Sequence, residues 1–276
     1  MKLDKIGEWS EIKLEIIKKY ASAFTTIMKD QSWCRGYVYI DAFAGAGIHI
    51  SRRTGEFVPG SPLNALAIRH PFSEYHFIDI DNEKIEILKA LTKDNQNVYI
   101  HVGDCNEILK KKIFPALHRK TMKRALCILD PYGLHLHWST IKMAADLGTT
   151  EIFLNVPLMD MSRNVLHKEL LSADPKQIER MNGFCGSEDW KEILYKTQQG
   201  LFGDEFQMKI GSNMQLGQWF KKERLKKAAG YDFVPDPILM RNSKGGPLFF
   251  LFFASHKETG RNIVDDIFNR YRKSYQ

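Results

Sequence analysis

Between residues 37 and 156 the chain repeats one pattern: a short apolar run stops on an acid, a glycine or a proline, and a helical stretch leads to the next run. The runs are Tyr37 to Asp41 (YVYID), Tyr75 to Ile80 (YHFIDI), Val98 to Val102 (VYIHV), Ala125 to Leu129 (ALCIL) and Glu151 to Val156 (EIFLNV). Strands buried on both faces read as continuous apolar runs of this length. Strands that alternate with helices make a mostly parallel sheet between two helical layers. The predicted fold is therefore α/β, with a Rossmann-like sheet. A later pair, Phe233 to Met240 and Leu248 to Phe253, flanks a turn at Lys244-Gly245-Gly246. It reads as a closing hairpin that makes the last strand antiparallel.

The intervening segments follow the same logic. Apolar residues at Leu14, Ile17, Ala21, Phe24 and Met28 predict a helix over 11–28. A long loop is expected over 48–60, holding His49, Arg52 and Arg53, and Ser61 is expected to cap a helix with Pro62 in its first turn. Asp81 starts the next helix, with Ile85 and Leu88 facing inward, and a last helix spans 262–271. The segment 158–229 breaks the rhythm. It is helical in pattern, with turn signals at Asn182-Gly183 and Gly203-Asp204, and reads as a helical cap inserted in a single domain of residues 1–276. The expected mouth of the substrate site lies between this cap and the loop 48–60.

Composition excludes several classes. At 276 residues the chain can bury a full core, and 43% hydrophobic with 26% charged residues is ordinary for a soluble globular protein. The longest apolar run, Pro247 to Ala254, is far too short to span a membrane. No apolar leader core opens the chain, so a cytoplasmic location without membrane association is expected. Cys34, Cys105, Cys127 and Cys185 are scattered without metal-site spacing; reduced thiols and no metal are expected. A formal charge of +7 favours polyanionic partners without requiring one. The basic runs 118–124 and 221–227 read either as solvated faces or as phosphate contacts.

Three strand ends carry a nucleoside-site pattern. The first is Asp41-Ala42-Phe43-Ala44-Gly45-Ala46-Gly47, where close glycines let backbone approach a ligand. Asp41, Phe43, Gly45 and Gly47 are its candidate cofactor contacts, and a purely structural turn is the alternative. The second is Asp79, placed to accept bonds from both ribose hydroxyls; Asp81 already fills the alternative role of helix-start acid. The third is Gly103-Asp104, where Asp104 either meets an adenine edge or simply caps a helix. Ligands of open α/β sheets lie at such carboxyl ends.

The fourth strand ends in Leu129-Asp130-Pro131-Tyr132-Gly133. This resembles the Asp-Pro-Pro-Tyr motif of methyltransferases that act on exocyclic amines of bases. The resemblance implies that Asp130 and the Pro131 carbonyl accept hydrogen bonds from the target amine, while Tyr132 stacks on the base for about 1–3 kcal/mol. The single proline and Tyr132-Gly133 depart from that pattern, although Asp-Pro-Phe-Gly occurs in enzymes that methylate the amine of guanine in RNA. An ordinary turn is the alternative. Arg52, Arg53, Asn155 and Arg163 are the candidate substrate contacts, with a structural ion pair an equal reading for Arg163. His135 and His137 read as packing or turn residues and Trp138 as core.

Nearly the whole chain resembles the three-Cys-motif partner (TcmP) proteins. The matching features are Trp9-Ser10-Glu11-Ile12-Lys13-Leu14 with Lys19-Tyr20 and Phe24, then Tyr39 to Gly45, Gly60-Ser61-Pro62, Phe77-Ile78-Asp79, Leu129 to Gly133, Leu154-Asn155-Val156-Pro157, Arg163 and Phe249 to Ser255. The resemblance implies a class I methyltransferase-like fold, S-adenosylmethionine as cofactor, and association with a radical-SAM-like protein that carries the three-cysteine motif. The expected activity is S-adenosylmethionine-dependent methylation of an exocyclic amine, on a nucleic-acid base. The alternatives are a cofactor-binding or non-catalytic subunit of the radical-SAM-like partner, and methylation of a small molecule or protein.

Overall fold

The computed structural model describes residues 3–199 and 205–275; the expected turn at Gly203-Asp204 lies outside the described residues. The five apolar runs form β1 (Gly36–Asp41), β2 (Glu74–Asp79), β3 (Val98–Val102), β4 (Lys123–Leu129) and β5 (Thr150–Val156). They join β6 (Ile238–Arg241) and β7 (Pro247–Ala254) in one sheet of order β6-β7-β5-β4-β1-β2-β3. The pairs β1–β2, β2–β3, β1–β4 and β4–β5 are parallel, while β7 runs antiparallel to both β5 and β6. This is the mostly parallel, Rossmann-like α/β sheet that the strand pattern predicted, with the antiparallel last strand. Strand order reverses between β1 and β4, which opens a crevice outside their carboxyl ends.

Side chains alternate across the sheet, so each face has its own core. Val38, Ile40, Ala125, Cys127, Leu129, Ile152 and Leu154 look one way; Tyr39, Leu126, Ile128 and Phe153 look the other. The second face is covered by α1 (Glu8–Met28), α3 (Asn82–Thr92) and the last helix, α10 (Glu258–Tyr275). On the first face lie α4 (Cys105–Ile108), with its π-helical extension Leu109–Ile113, and α5 (Trp138–Asp146). The cap packs there too. It contains α6 (Leu158–Asn164), α7 (Pro175–Cys185), α8 (Trp190–Leu194) and α9 (Asn213–Trp219), which continues as the π-helix Phe220–Ala229. Among the described residues no helix is long and apolar enough to cross a membrane.

Four expectations are corrected. The segment 48–60 is no plain loop: Ile48–Ser51 and Phe57–Pro59 pair antiparallel, and Lys5–Ile6 adds a parallel strand to Ile48–Ser51. Gly60, in extended backbone, is the residue before α2 (Ser61–Leu66), so Ser61 is already helical and caps nothing. The cap is not all helix, because Tyr195–Gln199 and Glu205–Lys209 form an antiparallel pair. Phe233 contributes a single bridge to Ser255, and β6 begins only at Ile238, after Pro235 and Pro237 have interrupted the ladder.

The basic run in the cap is largely spent on structure. Arg224 is buried, donating to the carbonyls of Cys185 (2.7 Å) and Gly186 (3.0 Å) and lying 4.5 Å from the Trp138 ring centre. Lys221 pairs with Asp236 at 2.7 Å and Lys227 with Glu223 at 2.9 Å. His135 and His137 enter turns through their backbone amides, to Gly133 and Asn106.

Candidate functional site

The glycine turn leaves β1 and is pinned from below. Gly45 (φ +60°) donates its amide to Asp79 Oδ2 at 2.7 Å, and Asp79 Oδ1 accepts from the Asp81 amide at 2.9 Å. Asp79 thus ties the tips following β1 and β2 together, and it is nearly buried. A carboxylate has about four acceptor positions, so two backbone bonds leave capacity for ribose hydroxyls. The two glycines differ. A Cβ at Gly47 (φ +75°) would sit 2.7 Å from Leu88 Cδ1, whereas one at Gly45 would meet nothing within 4 Å. Gly47 serves packing, and Gly45 faces open space.

Asp41, at the end of β1, is fully buried. Its Oδ1 accepts from the Phe43 amide at 3.2 Å, while Oδ2 has no partner. Burial pushes its carboxyl up to about 7, against the Ser61 hydroxyl and the Phe43 amide and helped by the nearby charges of Asp130 and Asp79. Phe43 is half-buried and packs on the first-face core. Asp104 caps α4, accepting from Glu107 N at 3.1 Å. Beside these acids, at the ends of β2 and β3, Ile80 is 74% exposed and Val102 44%. Apolar side chains left in water at the lip of a crevice are a surface for a flat ring.

Asp130, just past β4, holds the most charged neighbourhood. Lys13 on α1 reaches across 117 positions of sequence to pair with Asp130 Oδ2 at 2.5 Å. Lys13 is buried, and its ammonium lies 5.0 Å from the centre of the Phe249 ring. Among the described residues Asp130 Oδ1 has no hydrogen-bond partner. The Pro131 carbonyl accepts from Asn155 Nδ2 at 3.5 Å, and the buried Asn155 Oδ1 is unpartnered. Tyr132 is 67% exposed; its hydroxyl donates to Asp4 at 3.3 Å, and Lys84 stands 5.4 Å from its ring centre. Lys84 also pairs with Asp4 at 2.6 Å. His49 lies among Asp4, Lys13, Asp130 and Lys84, with Nδ1 buried and unpartnered; burial holds its imidazole below the usual range.

Asp41, Gly45, Asp79, Asp104, Asp130, Pro131, Tyr132 and Asn155 therefore gather at the carboxyl ends of β1 to β5. The expected arginines stand apart. Arg52 and Arg53 occupy the exposed turn of the 48–59 hairpin, where Arg52 Nε donates to the Lys5 carbonyl, and Arg163 is exposed at the end of α6. Sequence reading gave Lys13 no site role beyond the matched segment 9–14, missed Asp4 and Lys84, and named His49 only as part of a loop. Lys13 carried a signal: it sits four positions before Ile17 on the apolar stripe of α1, where a lysine is out of place. Three buried acceptors or donors without partners (Asp41 Oδ2, His49 Nδ1 and Asn155 Oδ1) surround one crevice. Buried polar groups are nearly always satisfied, so these three stand out.

No family model matches the chain, and no curated protein matches it. Solved structures do. A Legionella pneumophila protein of the family-model DUF519 is 13% identical, with 94% of this chain and 92% of that chain covered at a TM-score of 0.47. The N-terminal domain of EvdMO1, solved with S-adenosylhomocysteine and D-fucose, is 12% identical over 87% of this chain and 83% of that chain, with a TM-score of 0.44. A Listeria monocytogenes protein named as an S-adenosylmethionine-dependent methyltransferase is 13% identical over 89% of this chain and 100% of that chain, with a TM-score of 0.43.

Proposed function

We propose that the crevice between β1 and β4 binds S-adenosylmethionine and that the chain methylates an exocyclic amine, on a nucleic-acid base. The observation that carries this reading is the placement of Asp130 at the strand-order switch, beside buried Asp41, with one carboxylate oxygen fixed by Lys13 and the other unbonded. The residues fit the cofactor. Gly45 leaves room for backbone approach, Asp79 retains acceptor capacity for ribose hydroxyls, and Ile80 and Val102 offer apolar surface to adenine. Asp41 Oδ2, buried without a donor, would take the amino group of the methionine moiety. Phe43 and Asp104 would shape the pocket through packing and helix capping.

When bound, the cofactor supplies a sulfonium methyl, already a good electrophile. Asp130 Oδ1 and the Pro131 carbonyl would accept the two amine hydrogens, which leaves the nitrogen lone pair directed at the methyl carbon. Lys13 holds the Asp130 carboxylate in place, so positioning is fixed before substrate arrives. Tyr132 presents an exposed ring for stacking. The amine loses one proton as the N–C bond replaces the S–C bond; Asp130, which would hold that hydrogen, would receive it, with His49, kept neutral by burial, as a further acceptor in the same charged group. Arg52, Arg53 and Arg163, exposed on the hairpin and α6, would meet backbone phosphates, in keeping with the net charge of +7. Membership of the three-Cys-motif partner family, the radical-SAM-like partner and a cytoplasmic location belong to the same proposal.

The deciding experiment incubates the protein with methyl-labelled S-adenosylmethionine and pooled DNA or RNA, with and without a three-cysteine partner, and identifies labelled nucleosides after digestion. A labelled N-methylated base is expected. Cofactor binding without any labelled nucleoside, with partner present, would transfer the support to the binding-subunit reading.

A further inference from the structure

We propose that a second site, at the opposite edge of the sheet from the crevice, binds a small molecule with an apolar body and one carboxylate. A cavity of about 340 Å³ lies at the amino ends of β4 and β5, where Arg124, Thr150 and Glu151 meet α1 and the start of α10. That volume lies in the range of small-ligand pockets. β4 runs seven residues from this cavity to the crevice, so about 20 Å separates the two sites.

One wall is apolar: Phe24, Ile27 and Met28 from α1, with Ile263 from α10. The other is cationic. Arg124 is half-buried, lies 4.4 Å from the Trp33 ring centre, and donates one bond to the Lys123 carbonyl; no carboxylate pairs with it among the described residues. A guanidinium has five donors, so most of Arg124 is unspent. Arg119 packs its guanidinium over Gly148, where a Cβ would fall 2.5 Å away, and Gly148 lines the cavity. The first turn of α10 faces the same space through Thr259 and Gly260, and first-turn amides have no acceptor in their own helix.

The carboxylate already present, Glu151, acts on Arg124 through space and makes no direct bond to it. Glu151 accepts from Tyr20 (2.5 Å) and from Ser255 (2.8 Å). Gly260 passes so close that a Cβ would lie 2.7 Å from the Tyr20 hydroxyl, so that triad is a packed floor. A guanidinium without a bonded carboxylate and a helix amino end at one apolar-walled cavity together recognise a carboxylate on an apolar stem. The inference stands apart from the proposed methyl transfer, since no residue is shared.

The test titrates the full chain with the anionic aromatic probe 8-anilinonaphthalene-1-sulfonate and displaces it with octanoate or with octanol. Saturable binding is expected, with octanoate effective at a concentration at least tenfold below that of octanol. Arg124→Gln should raise the octanoate requirement at least tenfold and leave octanol unchanged. S-adenosylhomocysteine should displace nothing. If Arg124→Gln does not fold, Lys257→Gln at the cavity rim carries the comparison, with a loss of about threefold expected. Equal displacement by octanoate and octanol, unchanged octanoate affinity in a folded Arg124→Gln, absence of saturable probe binding, or displacement by S-adenosylhomocysteine would each overturn the proposal.

Discussion

Asp130 and Asp41 are both acids at strand ends, yet their surroundings set them opposite tasks. Lys13 satisfies one oxygen of Asp130 and leaves the other available, so Asp130→Ala should abolish methyl transfer while leaving S-adenosylhomocysteine affinity within about threefold. Calorimetry on the variant, set beside single-turnover methylation, separates the two effects, and equal rates in variant and wild type would remove Asp130 from the reaction. Asp41 has no counter-charge and titrates near 7 instead of 3.8. The native state therefore binds this proton more tightly than the unfolded chain does. Its contribution to stability is full below about pH 4, falls as pH rises towards 7, and is lost above that. About three units at 1.36 kcal/mol each set an upper bound of ~4 kcal/mol for the fall. Asp41→Asn should flatten that part of the pH–stability curve, measured by urea denaturation between pH 4 and 8. If Asp41 Oδ2 takes the amino group of the cofactor, binding near pH 7 should release a proton. Binding enthalpies that do not vary with the ionisation enthalpy of the buffer would argue against that contact.

Among the elements, the β1–α2 connection concentrates the constraint in two glycines with different duties. Gly45→Ala puts a side chain in left-handed backbone but into open space, at about 1 kcal/mol. It should lower the melting temperature by a few degrees and weaken cofactor binding at least tenfold. Gly47→Ala adds a clash with Leu88 and should cost stability first, about 2–3 kcal/mol. A Gly45→Ala protein that binds cofactor normally would mean that the turn is only a turn. These elements were legible because β1 to β5 announce themselves by short apolar runs and α1 by its period. Lys5–Ile6 has too few residues for any period, and the 48–59 hairpin hides behind a basic turn and Pro59. The pair Tyr195–Gln199 and Glu205–Lys209 is mostly polar, so it offers no alternation to read. The same limit acts on the site. Gly45, Asp79 and Asp130 stand beside the strands that place them, whereas the Lys13–Asp130 pair exists only once α1 has packed across the sheet.

At the scale of the whole molecule the question is whether the cap can unfold alone. The first-face core runs without a break from Val38, Ile40, Cys127 and Leu154 on the sheet to Met181, Phe184, Trp190 and Leu225 in the cap. Two further contacts latch them. Arg224 lies over Trp138 of α5, and Gly186 (φ +67°) comes so close that a Cβ would fall 2.1 Å from the Trp138 ring. Removing 158–229 would uncover the part of that face that α4 and α5 leave to the cap, and a sheet with so much apolar surface exposed does not hold as a monomer. We therefore predict one cooperative transition, with amides of α7 and of β4 exchanging at the same limiting free energy. Gly186→Ala should destabilise both together, by 2 kcal/mol or more, through strained backbone and displaced Trp138, at roughly the costs of overpacking and left-handed strain combined. Cofactor at a hundredfold excess over its dissociation constant should raise both by about 2.7 kcal/mol, because a ligand of the native state stabilises every part that opens only with the whole. Hydrogen exchange followed by mass spectrometry, with and without S-adenosylhomocysteine, reads the two regions separately. Protection that rises in β1 and β4 while α7 stays unchanged would show that the cap opens on its own, and its place in the single folding unit would then be lost.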